Sequence, residues 1–147
     1  MGGTFDVFHL GHEVLIQGAL DVGDQVLIGL TTDERASKGR TDSIIISYAD
    51  RKIRLEEWLK SKRVEQRVEI VPLDDDWGPA ALGEEFEGIV VSQETEDMAR
   101  ALNKVRKEKG IDKLKVIVIP MVQAYDGYRI SSSRIRNGEI NVEGLRT

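Results

Sequence analysis

The sequence predicts an α/β fold built on a doubly wound parallel sheet, and three observations carry that prediction. Short apolar runs without polar alternation, such as Val26-Leu27-Ile28-Gly29-Leu30 and Ile89-Val90-Val91, suit strands buried on both faces. Between these runs lie segments with apolar residues at helical spacing, so strands and helices alternate. The main helical segments also close on glycine, at Gly23 and Gly110. With 147 residues, one domain over 1–147 is expected, long enough to bury a substantial core.

In chain order, Gly2-Gly3-Thr4-Phe5-Asp6 reads as a Gly-rich turn running into a helix whose pattern begins as His12 arrives. The helix over Glu13–Asp21 places Val14, Leu15, Ala19 and Gly18 near one face. Gln25–Leu30 is a strand. Thr31 to Glu34 carries cap residues for a short helix, followed by a mobile basic loop over 35–42. Ser47 with Asp50 begins a second helix in a variant of the capping box, with Ile53, Leu55, Trp58 and Leu59 as its apolar side. Arg67–Leu73 is a strand stopping at Pro72, Asp74–Pro79 a loop, Ala80–Phe86 a short helix and Ile89–Ser92 a buried strand. Thr95 caps a long helix with Met98, Ala101, Leu102 and Val105 at helical spacing. Lys104, Arg106, Lys107 and Lys109 load its C-terminal half, as the helix dipole favours. Leu114–Ile119 is the last strand, Tyr125–Tyr128 a turn, and Ile130–Arg136 starts a final helix ending near Gly138.

Composition narrows the function classes. With 40% hydrophobic and 32% charged residues the chain is globular rather than disordered. A formal charge of −5 argues against a nucleic-acid partner. The absence of cysteine removes disulfides, thiolate ligands and cysteine nucleophiles, and fits a cytoplasmic location. No apolar run approaches a membrane span, and the N-terminus lacks a signal-peptide layout.

Sheets of this class bind ligands beyond the carboxyl ends of their strands. A Gly-rich loop should therefore follow a strand, yet only Met1 precedes Gly2. The first strand is expected to be largely missing, through a late start or a truncation, with a four-strand sheet as the other reading. The loop itself offers backbone N–H groups and the positive end of a helix dipole, which suit a phosphate. His9 and His12 can share a face of the first helical turn. Zinc is the competing reading, but these are the only two histidines and no cysteine is present, so further ligands would be carboxylates. Ser131-Ser132-Ser133 before Arg134 supplies hydroxyls at another helix start, although a polar cap alone accounts for serines there. Two helix N-termini, one at each end of the chain, can converge on one polyphosphate.

Gly3-Thr4-Phe5-Asp6 with His9-Leu10-Gly11-His12, and Ile130-Ser131-Ser132-Ser133-Arg134-Ile135-Arg136, resemble the HxGH and ISSTxxR signatures of the nucleotidyltransferase superfamily. Ser133 replaces the usual threonine and keeps its hydroxyl. Val90-Val91-Ser92-Gln93-Glu94-Thr95, then Asn103-Lys104-Val105-Arg106, is similar to the archaeal phosphopantetheine adenylyltransferases and the matching domain of eukaryotic CoA synthase. This resemblance implies a Rossmann-like nucleotidyltransferase domain that transfers the adenylyl group of ATP to 4′-phosphopantetheine, giving dephospho-CoA and pyrophosphate. It implies Mg²⁺ carried mainly by ATP, with no resident metal site, and leaves the oligomeric state open.

Position by position, the resemblance implies that His12 bonds the α-phosphate as it becomes pentavalent, while His9 supports the nucleotide phosphates. Gly3, Thr4 and Phe5 form the phosphate loop, and Thr4 also helps place the incoming phosphate. Ser131, Ser132 and Ser133 with Arg134 hold the β- and γ-phosphates. Lys38, or Arg40 in its place, reaches the reacting phosphates. Arg51 matches an arginine of related transferases that would bind substrate, or is a surface helix charge. Ser92, Glu94 and Thr95 lie beside the expected adenine pocket. Asp6 caps the loop or contacts a ligand; Trp58 and Met98 are core residues; Asp74–Asp76 is a solvated run without the spacing of a calcium loop. A cytidylyltransferase using CTP and an alcohol phosphate such as glycerol 3-phosphate is the alternative. A nucleotide-binding module without turnover is a third reading. The Val91–Thr95 stretch argues against the cytidylyltransferase, and the intact His and Ser-Arg sets against the module.

Overall fold

The structure is a computed structural model that describes residues 1–37, 46–78 and 83–147. Lys38 and Arg40, and the start of the helix expected over Ala80–Phe86, lie outside the described residues; residues 83–87 hold a turn and no helix. The elements run β1 (Gly2–Gly3), α1 (Leu10–Val22), β2 (Val26–Thr31), α2 (Asp33–Ser37), α3 (Tyr48–Ser61) and β3 (Val68–Leu73). They continue with β4 (Gly88–Ser92), α4 (Glu96–Glu108), β5 (Lys115–Ile119) and α5 (Ser132–Arg136).

Every ladder between these strands is parallel, in the orders β1-β2-β3 and β4-β5. This is the expected α/β class, with helices crossing between parallel strands as in a Rossmann-like fold. The strand expected to be largely missing is present as two residues: Gly2 and Gly3 pair with Gly29 and Leu30, and Gly29 N–H donates to Met1 O at 2.9 Å. β3 runs through Pro72 to Leu73 rather than stopping at the proline. It lies at the edge of its ladder, where a missing N–H costs little.

The helices reveal why some expected core positions were misplaced. In α1 the buried stripe is Ile16, Ala19 and Leu20, an i, i+3, i+4 set, and Val14, two residues before it, points outward at 36% exposure. Gly18 does face inward: a Cβ there would come within 2.6 Å of the Ile119 side chain, so glycine permits the close approach of α1 to β5. In α3 the stripe is Arg51, Leu55 and Leu59, led by an arginine, and Ile53 is half exposed. Ser47 Oγ caps that helix by accepting from Asp50 N–H at 3.2 Å. Thr95 occupies the N-cap position of α4 without capping it by its side chain; Oγ1 instead accepts from Ser92 N–H at 3.2 Å. The α4 stripe is Ala99, Leu102 and Arg106, leaving Ala101 exposed, and the Arg106 guanidinium donates inward to the carbonyls of Asp112 and Gly83.

The main core joins Phe5, Ile16, Leu20, Ile28, Leu30, Leu55 and Leu59, so the Gly-rich loop is rooted in it by Phe5. A smaller cluster of Ala124, Ile130 and Ile140 seats α5. Among the described residues no helix is long and apolar enough to cross a membrane.

Candidate active site

Loop 4–9 carries β1 into α1, and Phe5 turns it. Phe5 is 4% exposed with φ of 50°, a left-handed conformation uncommon for a bulky residue and held here by core burial. His9 is the N-cap of α1, and its Nδ1 accepts from Gly11 N–H at 3.0 Å. His12 completes a capping box by accepting His9 N–H on its own Nδ1 at 3.2 Å. The two rings stack at 3.7 Å between centroids, with Phe5 and Phe8 against His12. Because each Nδ1 accepts, the proton of each neutral ring resides on Nε2, and both imidazoles present an Nε2–H donor. They are held neutral. Burial and the nearby Arg129 charge lower His9 to about 4, and burial with the neighbouring His9 lowers His12 to about 3.

The far end of the chain closes on the same loop. Val7 N–H donates to Ser132 Oγ and Ser132 Oγ–H donates to Val7 O, each at 3.2 Å. Ser131 Oγ caps α5 by accepting Arg134 N–H. Asp6, 3% exposed, accepts Ile46 N–H on Oδ1 and ion-pairs with Arg136 through Oδ2, so its work is structural. Arg129 ion-pairs with Glu94 at 2.6 Å.

Two cavities meet at the loop. The larger, about 380 Å³, is lined by Gly3 to Asp6, His9, Gly11, His12, Ser92, Glu94, Arg129, Ser131 to Ser133 and Arg136. The second, about 290 Å³, is lined by Gly2, Gly3, Thr4, Leu73, Trp77, Ile89 to Val91, Thr95, Met98 and Ala99, with the Arg35–Asp76 ion pair beside them. Gly3, Thr4 and Leu15 line both. The first offers N–H and O–H donors suited to phosphate oxygens; the second is mostly apolar.

The structure thus gathers His9, His12, Gly3, Thr4, Phe5, Ser92, Glu94 and Ser131–Ser133 around one cavity. The other residues that the sequence points to lie elsewhere. Arg134 does not line that cavity: its guanidinium donates to Glu139 at 2.9 Å, to Asp126, and to the carbonyls of Tyr128 and Arg129. Arg51 is neither a surface charge nor a lining residue: it is 1% exposed and donates to Ile46 O, Thr4 O, Thr31 O and the Asp33 carboxylate. Thr95 and Met98 line the second cavity, where Met98 is half-buried, and Thr95 Oγ1 also lies 3.3 Å from the hydroxyl of Ser92, which lines the first. Trp58 packs against the main core as expected, half-buried, with its Nε1–H donating to Glu13 at 2.6 Å. The cavity cations that sequence reasoning missed are Arg129 and Arg136. Arg136 was legible, because the ISSTxxR spacing ends on it; Arg129 carried no motif signal.

A family model described as cytidylyltransferase-like matches residues 1–138. The chain is 46% identical to a phosphopantetheine adenylyltransferase of Methanothermobacter thermautotrophicus over 98% of its own length and 85% of the relative's. It is 42% identical to another from Methanopyrus kandleri, over 96% of this chain and 88% of that one. In three dimensions it resembles a protein of unknown function from Archaeoglobus fulgidus with a TM-score of 0.70 and 32% identity, covering 82% of this chain and 95% of that one.

Proposed function

The chain belongs to the cytidylyltransferase-like family, and from that premise we propose that it transfers the adenylyl group of ATP to 4′-phosphopantetheine, releasing pyrophosphate and forming dephospho-CoA in coenzyme A biosynthesis. The observation that carries this reading is the meeting of the two cavities at Gly3 and Thr4: a donor-rich one for a triphosphate and a more apolar one, with Leu73, Trp77, Val90 and Met98 in its wall, for a pantetheine arm.

The nucleophile of this reaction is a phosphate oxygen already ionised at neutral pH, so no general base is needed. What remains is to align two anions and to offset the charge that grows at the α-phosphate and the leaving pyrophosphate. The stacked imidazoles suit that task, because their Nε2–H donors are fixed in direction by the backbone bonds at Nδ1. His12 donates to the α-phosphate as it becomes pentavalent, and His9 donates to the neighbouring phosphates. Ser131 and Ser133 face the β- and γ-phosphates from the start of α5, where Arg136 adds a cation. Ser132 holds the two halves together through Val7. Lys38 remains the candidate for the loop cation that reaches the reacting phosphates.

Mg²⁺ enters on this reading with the triphosphate, because it sheds water reluctantly and binds readily through substrate phosphates. The cavity's imidazole N–H, hydroxyl and guanidinium groups fit phosphate oxygens, and among the described residues no group of three or more His, Cys, Asp or Glu could hold a metal. Bound to the phosphates, the ion would neutralise part of their charge. The cytoplasm, with its ATP supply, is the compartment this reading implies.

Crossing ATP and CTP with 4′-phosphopantetheine and glycerol 3-phosphate, and following pyrophosphate release, tests the proposal. Release with ATP and 4′-phosphopantetheine alone is expected. Turnover confined to CTP and glycerol 3-phosphate would replace it with cytidylyl transfer.

A further inference from the structure

Three arginines cluster around α5, and they differ in what holds them. Arg136 is tied to a carboxylate that is 3% exposed, that of Asp6, and its Nη2 donates to Ser133 Oγ. Arg134 is fixed by two carboxylates and two carbonyls. Arg129 is different. Among the described residues its guanidinium pairs with one carboxylate, Glu94, and both side chains are about half exposed, at 51% and 52%. Exposed pairs of this kind contribute little and are readily screened or exchanged. The backbone of Arg129 is not loose, however: it bridges to Gln123, and its carbonyl accepts from Arg134 at 2.9 Å. The result is a well-placed Cα carrying a cation whose partner is easily replaced.

Its position points into the site. Arg129 and Glu94 both line the larger cavity, and Arg129 immediately precedes the Ile130-Ser131 start of α5. Its charge is close enough to His9 to help keep that ring neutral. A carboxylate at the mouth of a cavity built from phosphate-binding donors would repel a polyphosphate unless a cation offset it. Glu94 and Arg129 do offset each other.

We propose that Arg129 is a polyphosphate-binding residue of this cavity, and that Glu94 is not a nucleotide ligand but the counter-ion that an incoming phosphate displaces from it. The ligand class is a nucleoside polyphosphate, and the exchange is one ion pair for another, with the Arg129 side chain swinging from the β4–α4 turn toward the start of α5. The inference rests on the nucleotide-binding part of the function proposed above and not on adenylyl transfer.

Isothermal titration of the wild type, Arg129→Gln, Glu94→Gln and the double variant with ATP, AMP and inorganic tripolyphosphate, all without acceptor, tests it. Arg129→Gln should bind ATP and tripolyphosphate at least tenfold more weakly, with AMP changed less than threefold. Glu94→Gln should bind ATP three- to tenfold more tightly, and the double variant should bind it more tightly than Arg129→Gln, which leaves the Glu94 carboxylate without its cation. Both side chains are half exposed, so all variants should fold, and thermal melts verify this. A second readout is the His9 ring titration by NMR, which Arg129→Gln should move upward. Weaker ATP binding in Glu94→Gln would make Glu94 a ligand and overturn the proposal, as would an Arg129→Gln affinity within twofold of wild type. Wild-type binding with no dephospho-CoA formed would instead remove the function proposed above and leave this inference standing.

Discussion

Arg51 Nη1 donates to the carbonyl of Thr4 at 2.9 Å from a side chain with no solvent exposure, so a helix on one side of β2 fixes the loop on which the site is built. The same nitrogen reaches Thr31 O at 2.7 Å, and Nε reaches Ile46 O at 2.7 Å. One guanidinium thereby gathers the end of β2, the approach to α3 and the phosphate loop. Replacing it with Met should leave three carbonyls without this donor and lower stability by about 3 kcal/mol, since each unmade buried bond costs about 1–3 kcal/mol. Lysine should rescue little, because one ammonium cannot reproduce the planar fork. Urea unfolding of both variants measures this. A phosphate-binding Arg51 would instead give unchanged stability and lost substrate affinity.

His12→Ala should remove a donor aimed at charge that grows only in the transition state. Losing one such donor costs on the order of 10²–10³ in kcat. Steady-state pyrophosphate release should fall by that factor while the ATP dissociation constant changes only a few-fold. A variant keeping a third of the wild-type turnover would remove His12 from the reacting centre.

Much of this was legible in the sequence, and what was not has a common cause. Strands and helices follow from apolar periodicity, and the HxGH and Ser-rich turns declare themselves by residue type and spacing. The arginines did not. Arg51, Arg106 and Arg134 look like ordinary helix charges in one dimension, yet each bonds backbone carbonyls contributed by other segments. A guanidinium's five donors make its role depend on which loops arrive beside it, and that is a property of the tertiary structure. For the same reason Val14 and Ile53 look inward-facing in one dimension: their apolar character is visible, but the face that packs is set by Ile16 in α1 and by Arg51 in α3.

The histidine pair should make stability depend on acid. Both rings have folded values, about 4 and about 3, below the ordinary 6.5, so the unfolded chain takes up protons that the folded chain refuses. Their contribution is complete above pH 6.5 and is lost progressively as pH falls from there toward 4 and then 3. Melting temperature should therefore drop between pH 7 and pH 4.5 more steeply for the wild type than for a His9→Asn, His12→Asn double variant. Parallel curves would show that the rings are not kept neutral by the fold.

Ser132→Ala removes both bonds to Val7, one of the polar ties between the two ends of the chain, beside the Asp6–Arg136 ion pair and the Leu10 N–H bond to Val142 O. A loss of about 1–2 kcal/mol is expected from the two part-buried backbone groups. The Val7 amide should exchange with solvent markedly faster than in the wild type, by NMR, with the β2 amides unaffected. An unchanged Val7 rate would mean that the loop is held by Phe5, Asp6 and Arg51 without help from Ser132.

Gly11→Ala separates positioning from folding. Alanine favours a helix over glycine by about 1 kcal/mol, so at the second residue of α1 the change should be tolerated by the helix itself. The added Cβ, however, would lie 3.0 Å from His9 Nδ1 and 2.8 Å from Cε1, the latter closer than real contacts allow. The His9 ring must rotate away, which breaks the Gly11 N–H bond to Nδ1 that fixes its tautomer, and it disturbs the 3.7 Å stack on His12. Turnover should fall at least tenfold while the melting temperature stays within a few degrees of wild type. The His9 ring resonances should also show both neutral tautomers. A variant that keeps its turnover would mean that the Nδ1 bonds do not orient the catalytic donors, and the neutral Nε2–H arrangement would lose its role in the reaction.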